Sequence, residues 1–429
     1  MKNERIGCHA GSSRRGPSRR QVVGASSALA STLLFGRSAK GAPRAFHGGG
    51  NGSGRDVLVQ IFLRGAMDGL TTVVPHGDAD YYAARPNLAV PPPGETNGAL
   101  DLDGFFGLAP AAAPLLTPYD NGHLAFVHAS GSIDPTRSHF DGFLHMEWGN
   151  PGLPPGTVSD GWLSRYLIQM TPQALGELRA VTAGDILPLS LSGAPKSLPI
   201  PDFAGFFFPG NPASAAERAA RLSHAFSAVA PPVGPAALNT FASIQQMAAI
   251  DFAGYVPANG ASYPDTRLGA QLRDTAALIK ADIGVEAITV DVGGWDLHAG
   301  LGPIDGEMAY LLDYLSKSVE AFYVDFGSSI DRVVVVILSE FGRRVGENAS
   351  LGVDHGHGNV MIVMGGGIQG GQVLANWPGL APAQLDDGDL AITIDYRDIL
   401  GEILERRLAA TDLGAIFPAH TFTAHGITV

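Results

Sequence analysis

LGVDHGHGNVMIVMGGG, Leu351–Gly367, places one aspartate and two histidines within four residues and runs from them directly into an apolar strand that closes on three glycines. Here the polar cluster stands before the strand. Elsewhere the order is reversed. DVLVQIFL, Asp56–Leu63, is followed by RGAMDGL, with Asp68 five residues beyond Leu63. EAITVDV, Glu286–Val292, carries Asp291 at its end, with Asp296 and His298 on the following turn. RVVVVILS, Arg332–Ser339, leads into Glu340. In an open α/β sheet the ligand site forms beyond the carboxyl ends of the strands. His355 and His357 therefore reach the edge shared by Asp68, Asp296 and Glu340 only if Val360–Gly365 runs antiparallel to the other strands, or if their loop is long. The pattern predicts a mostly parallel sheet with one antiparallel strand.

Each of these runs is continuously apolar and β-branched, as is LAFVHA, Leu124–Ala129. That is the composition of strands covered on both faces. DGEMAYLLDYLSKSVEAFYVDF, Asp305–Phe326, has helical spacing and would cross from one strand to the next, and Asp395–Leu408 reads as a second such helix. The fold class is α/β, a doubly wound sheet, with its core in 55–150 and 281–429. Between them, 151–280 holds Pro-rich loops, a hairpin expected around LPLSLSGAPKSLPIP (Leu187–Pro201), and helical stretches Ala213–Val229 and Ala236–Ile250. It reads as a cap or insertion.

The chain has 429 residues, of which 45% are hydrophobic and 16% charged, and its 56 Gly and 30 Pro suit a body of short elements joined by many loops. A net charge of −13 with no basic block beyond the N-terminus excludes a nucleic-acid partner. At the N-terminus, SRRQVV (Ser18–Val23) enters an apolar run, Val22–Phe35, that is shorter than the ~18 residues a spanning helix needs. Residues 1–42 resemble a twin-arginine export signal and 43–54 a Gly/Ser-rich linker, so the mature protein is expected to be periplasmic or secreted, with no membrane span. The single cysteine, Cys8, falls within that signal. Any metal must then sit among His, Asp and Glu, donors that suit hard to borderline divalent ions.

Taken singly, Asp68 reads as a turn residue, Asp296 and His298 as surface polar groups, and Glu340 as a helix cap or a partner for Arg343. Jointly they put ligand-type side chains at every strand end, among glycines that let backbone approach closely. That concentration points to a metal centre drawn from Asp68, Asp291, Asp296, His298, Glu340, His355 and His357, holding one or two divalent ions (zinc, manganese, magnesium or calcium). The glycines from Gly365 to Gly371 lack the helix of a nucleotide-binding fingerprint.

The aspartate after the first strand, the Asp296/His298 turn, the acid after a later strand and the histidine before a strand ending in glycine together resemble the metal core of the alkaline phosphatase and sulfatase superfamily. Asp291 falls where members often carry a further acidic magnesium ligand. The resemblance also implies a nucleophile after the second strand, where the sequence reads HASGSIDPTRSHFDGFLHMEWG (His128–Gly149). Ser138 and Thr136 are its candidates, Arg137 a binder of an anionic group, and His139 a ligand or base. A plain helix cap is the other reading of Ser138. FLRGAMDGLTTVVP, GGWDLH, SEFGRR and DHGHGN are similar to the bacterial family numbered 1501 among domains of unknown function, which is grouped with that superfamily. The chain departs from the wider pattern in three places. Its turn is Asp-x-His, Glu340 has no histidine after it, and His357 is an extra candidate; beyond the signal there is also no cysteine from which formylglycine could be made. The resemblance implies an exported metal-dependent hydrolase or transferase acting on a phosphate or sulfate ester, with an anionic small-molecule or polymer substrate. The competing expectation is a non-catalytic cell-envelope protein that keeps the fold for binding or assembly, and a third is a metal-free periplasmic binding protein. Oligomeric state has no signature.

Overall fold

The computed structural model describes residues 56–154, 156–170 and 176–429. The expected export signal and linker, with Cys8, lie outside them. Twelve strands form in chain order: β1 (Val57–Leu63), β2 (Val73–Val74), β3 (Leu100–Asp101), β4 (Gly107–Leu108), β5 (Leu124–Gly131) and β6 (Ala180–Thr182). They continue with β7 (Ser197–Pro199), β8 (Ala287–Val292), β9 (Val333–Leu338), β10 (Asn359–Gly365), β11 (Gln372–Leu374) and β12 (Ile394–Asp395). Nine of them make one sheet in the order β11-β5-β10-β9-β1-β8-β6-β7, with β12 also paired to β5, while β2, β4 and β3 form a small separate sheet.

β1 lies parallel to both β8 and β9, with Leu58 opposite Ala287 and Val334. β10 runs antiparallel to β9 and to β5. It is the reversed strand that the histidines before it demand, so the start of β10 and the ends of β1, β5, β8 and β9 share one edge. The architecture is a mixed, mostly parallel sheet flanked by helices.

Burial explains the strand composition. Every residue of β1, β5, β9 and β10 is buried, and each covered Val, Ile or Leu contributes roughly 1.5–3 kcal/mol of transfer free energy. Alternate residues face opposite ways. One face gives Leu58, Phe62, Val334, Val336, Met361 and Val363 to a core shared with Ile399, Leu400 and Ile403 of the helix Tyr396–Arg406. The helix Glu307–Phe326 makes the crossover from β8 to β9 and packs on the helix Arg267–Lys280 and the turn Pro110–Leu115. No described helix is long and apolar enough to cross a membrane.

The stretch 151–280 differs from expectation. β7 pairs parallel with β6, and β6 with β8, so both extend the main sheet. The hairpin expected at Leu187–Pro201 does not form, since Pro188, Pro195 and Pro199 lack the donors an antiparallel ladder there would need. Within that stretch only Gly205–Gln245 separates as a compact unit. There Phe241 receives Phe208 and Phe226 edge-on, each at 5.8 Å, between the helices Ala215–Ser227 and Val233–Met247.

Candidate metal centre

Four segments deliver side chains to the shared edge. The helix His139–Trp148 begins there, with Ser138 as its N-cap and His139 as its first residue. Asp296 and His298 lie on the loop after β8, and Glu340 follows β9 directly. His355 is held ahead of β10 by an isolated bridge to Arg343.

Asp296 Oδ1 is the common point. His298 Nε2 lies 2.9 Å from it, His355 Nε2 3.1 Å, His139 Nε2 3.4 Å and Arg343 Nη2 2.6 Å. The ligand atoms of His139, Asp296 and His355 fall within 4.8 Å of one another, a grouping able to hold a metal ion. His298 joins from the exposed side, its Nε2 2.9 Å from His355 Nε2.

Each imidazole is tethered through its other nitrogen. His139 Nδ1 lies 2.6 Å from Glu340 Oε1, His298 Nδ1 2.9 Å from Asp354 Oδ1, and His355 Nδ1 2.7 Å from the carbonyl oxygen of Arg137. A carbonyl accepts only, and so do ionised carboxylates, so in all three rings Nδ1–H donates and the Nε2 lone pair points inward. This is how metal-binding histidines are oriented by their outer partners. His139 Nε2 is buried without a hydrogen-bond partner, as a lone pair aimed at a cation position would be.

The electrostatics agree. The Glu340 bond holds the His139 imidazole above its ordinary pKa, whereas burial lowers that of His355. Burial alone would raise the Asp296 carboxyl, but the hydrogen bond and the charge of the Arg343 guanidinium hold it far below the usual range. A metal ion bound there would compete with protons for the same nitrogens. Side-chain exposure of 46% at Asp296 and 44% at His298, against 0% at Glu340, leaves one side open to solvent.

Close backbone approach builds the edge. Gly65 has φ +114°, and a Cβ on it would stand 2.7 Å from Asp296 N. Only glycine lets the turn after β1 seat against the loop carrying Asp296.

Other sequence candidates lie elsewhere. Asp68 is buried and taken by Arg85, at 2.5 and 3.0 Å, and by Thr71 at 2.6 Å. Asp291 is exposed and pairs with Arg64 at 3.0 Å. His357 binds the carbonyl of Ser132 at 3.0 Å and Asp386 at 2.7 Å, so neither ring nitrogen is offered to the cluster. Glu340 reaches the centre through His139, its oxygens also receiving Gly65 N–H at 2.9 Å and Ser339 Oγ at 3.1 Å. Ser138 Oγ accepts from Asp141 N at 3.5 Å and Thr136 Oγ1 from Ser138 N at 3.2 Å. The Arg137 guanidinium is bound to Asp389 and Asp387.

Arg85 escaped the sequence reading, and Arg343, read there as a partner for Glu340, binds Asp296 instead. Arg343 is fully buried and Arg85 likewise; charged residues inside loops next to a carboxylate-rich edge are the signal that marks them.

Residues 214–415 match the DUF1501 family. Its description is "Protein of unknown function", and the DUF1501 match takes in Asp296, His298, Glu340, Arg343 and His355 while leaving His139 outside. No curated protein matches the chain. Among solved structures, an alkaline phosphatase superfamily protein from Vibrio parahaemolyticus is 12% identical, with 83% of this chain and 72% of that one covered and a TM-score of 0.34. The PsFucS1 sulfatase from Pseudoalteromonas sp. is 12% identical over 75% and 64% of the two chains, TM-score 0.33. The lipoteichoic acid synthase LtaP from Listeria monocytogenes is 10% identical over 85% and 80%, TM-score 0.29.

Proposed function

We propose that this protein is an exported, metal-dependent hydrolase or transferase acting on a phosphate or sulfate ester, with a divalent ion held by His139, Asp296, His298 and His355. The observation that carries the reading is the convergence of three Nδ1-tethered imidazoles on Asp296 Oδ1. Nitrogen-rich donor sets with one carboxylate suit zinc or manganese. A bound ion would supply Lewis acidity toward the ester oxygen and lower the pKa of a water.

The chain's own residues do the rest. Glu340, Asp354 and the Arg137 carbonyl fix the rings, and Arg343 keeps Asp296 ionised. The open side at Asp296 and His298 admits substrate. We assign attack to water rather than to Ser138 or Thr136, since each hydroxyl oxygen already accepts a backbone N–H at the helix start. The ester class rests on the motif resemblance. One observation favours a non-catalytic envelope protein instead: the Arg137 guanidinium, the expected anion binder, is spent on Asp389 and Asp387.

The test is metal analysis of natively exported protein and of Asp296→Ala and His355→Ala, followed by hydrolysis of p-nitrophenyl phosphate and p-nitrophenyl sulfate. Stoichiometric metal lost in both variants, with turnover lost alongside, is the expected result. Metal without turnover of any ester supports the envelope reading, and absence of metal overturns both forms of the centre.

A further inference from the structure

We infer that the centre holds one divalent ion and not two, because Asp68 and Asp291, the further carboxylates of this edge, have both oxygens bound by arginine, whereas Asp296 is bound by Arg343 through Oδ1 alone. The inference rests on the metal reading above and goes beyond it to the nuclearity of the site.

Two-metal centres place their ions about 3.5–4 Å apart and need a second set of oxygen or nitrogen donors beside the first. The edge holds enough carboxylates for that, but they are already engaged. Both oxygens of Asp68 bind Arg85, which is wholly buried. Asp291 offers both oxygens to Arg64, which also holds the buried Glu147. Asp389 gives Oδ2 to Arg137, and Arg344 Nε stands 3.4 Å from its Oδ1. A guanidinium has no proton it can shed in a protein, so none of these pairs opens by simple deprotonation of the cation.

Glu340 is equally closed. Its Oε1 receives Gly65 N–H and His139, and its Oε2 receives Ser339 Oγ. His357 has both ring nitrogens bonded. Asp354 has no arginine among the described residues, but its Oδ1 already binds His298 and Asn348.

Charge points the same way. Arg343 Nη2 sits 2.6 Å from the very oxygen on which the three histidines converge. A permanent cation therefore already stands beside the first ion, where a second dication would meet its repulsion without gaining a new anion.

The experiment uses the full chain, stripped with chelator and dialysed against manganese(II). Bound manganese is counted by plasma mass spectrometry, and its state is read by electron paramagnetic resonance. We expect one ion per chain with the six-line spectrum of isolated manganese, and the same stoichiometry in Asp291→Asn, whose side chain is exposed and folds without its partner. Two ions per chain, a spin-coupled spectrum, or loss of an ion in Asp291→Asn overturns the inference while leaving the metal reading intact. No bound manganese or zinc overturns both.

Discussion

Arg343 Nη2 donates to Asp296 Oδ1 at 2.6 Å, and the same guanidinium donates through Nε to the carbonyl of Ala66 at 2.7 Å and through Nη1 to that of Val353 at 3.1 Å. One buried side chain thus ties the loops after β1 and β8 to the segment before β10.

Replacing it tests that linkage. Arg343→Met would leave several buried carbonyls unpaired, each costing about 1–3 kcal/mol. We expect a drop of more than about 3 kcal/mol in urea unfolding, with Arg343→Lys recovering little because a compact ammonium cannot span three directions. An effect under 1 kcal/mol would mean the loops hold their places without it.

Glu340 and His139 give a second prediction. Glu340→Gln keeps the shape but weakens the bond that orients the His139 ring, so metal affinity should fall about 10–100-fold, the usual cost of losing an outer partner. Competition with a fluorescent chelator reads this directly, and unchanged affinity would remove His139 from the donor set.

Asp68 and Arg85 form a buried pair with no part in the centre. Removing one partner, in Arg85→Met, should cost about 3–5 kcal/mol, and the double change with Asp68→Leu much less. Burial would raise the Asp68 carboxyl, but the Arg85 charge and bonds from Arg85 and Thr71 hold it below its ordinary value. Because the folded state binds the proton less readily than the unfolded one, the pair's contribution is full above about pH 4 and is lost as pH falls through the depressed folded value.

His128 gives the clearest pH signature. It is completely buried, its Nε2 3.0 Å from the Val73 carbonyl and its Nδ1 accepting from Ala129 N at 2.8 Å, with Phe106 stacked on it at 5.2 Å. Burial pushes its pKa down from 6.5 to about 4. The unfolded chain therefore takes up a proton that the folded one refuses between those values. Stability should fall as pH drops from 6.5 toward 4, by about 3 kcal/mol in all at 1.36 kcal/mol per unit. His128→Asn should flatten that slope in urea titrations run across the window, and an unchanged slope would assign it to other groups.

The strands of the core were legible in the sequence because a doubly covered strand must be apolar at every position, and VLVQIFL, VVVVIL and NVMIVMG are. The reversal of β10 was legible for a related reason: a polar cluster on the wrong side of its strand can meet the others only if the strand turns round. The same pattern put Asp296, His298 and His355 at one edge, where their side chains lie together. β6 and β7 were not legible, because three residues are too few to show a period and β7 contains Pro199.

The ligand set itself was decided by tertiary structure. Asp68 and Asp296 look alike in sequence, each an aspartate near a glycine after a strand. Which becomes a structural ion pair and which a candidate ligand depends on where Arg85 and Arg343 come to lie, and those arginines stand 17 and 47 residues from their partners. The chain determined that ligand-type residues would crowd one edge of one sheet. Only the fold decided that Asp68 would be buried with both oxygens on Arg85 while Asp296, held by Arg343 through one oxygen, stays open to solvent among three imidazoles.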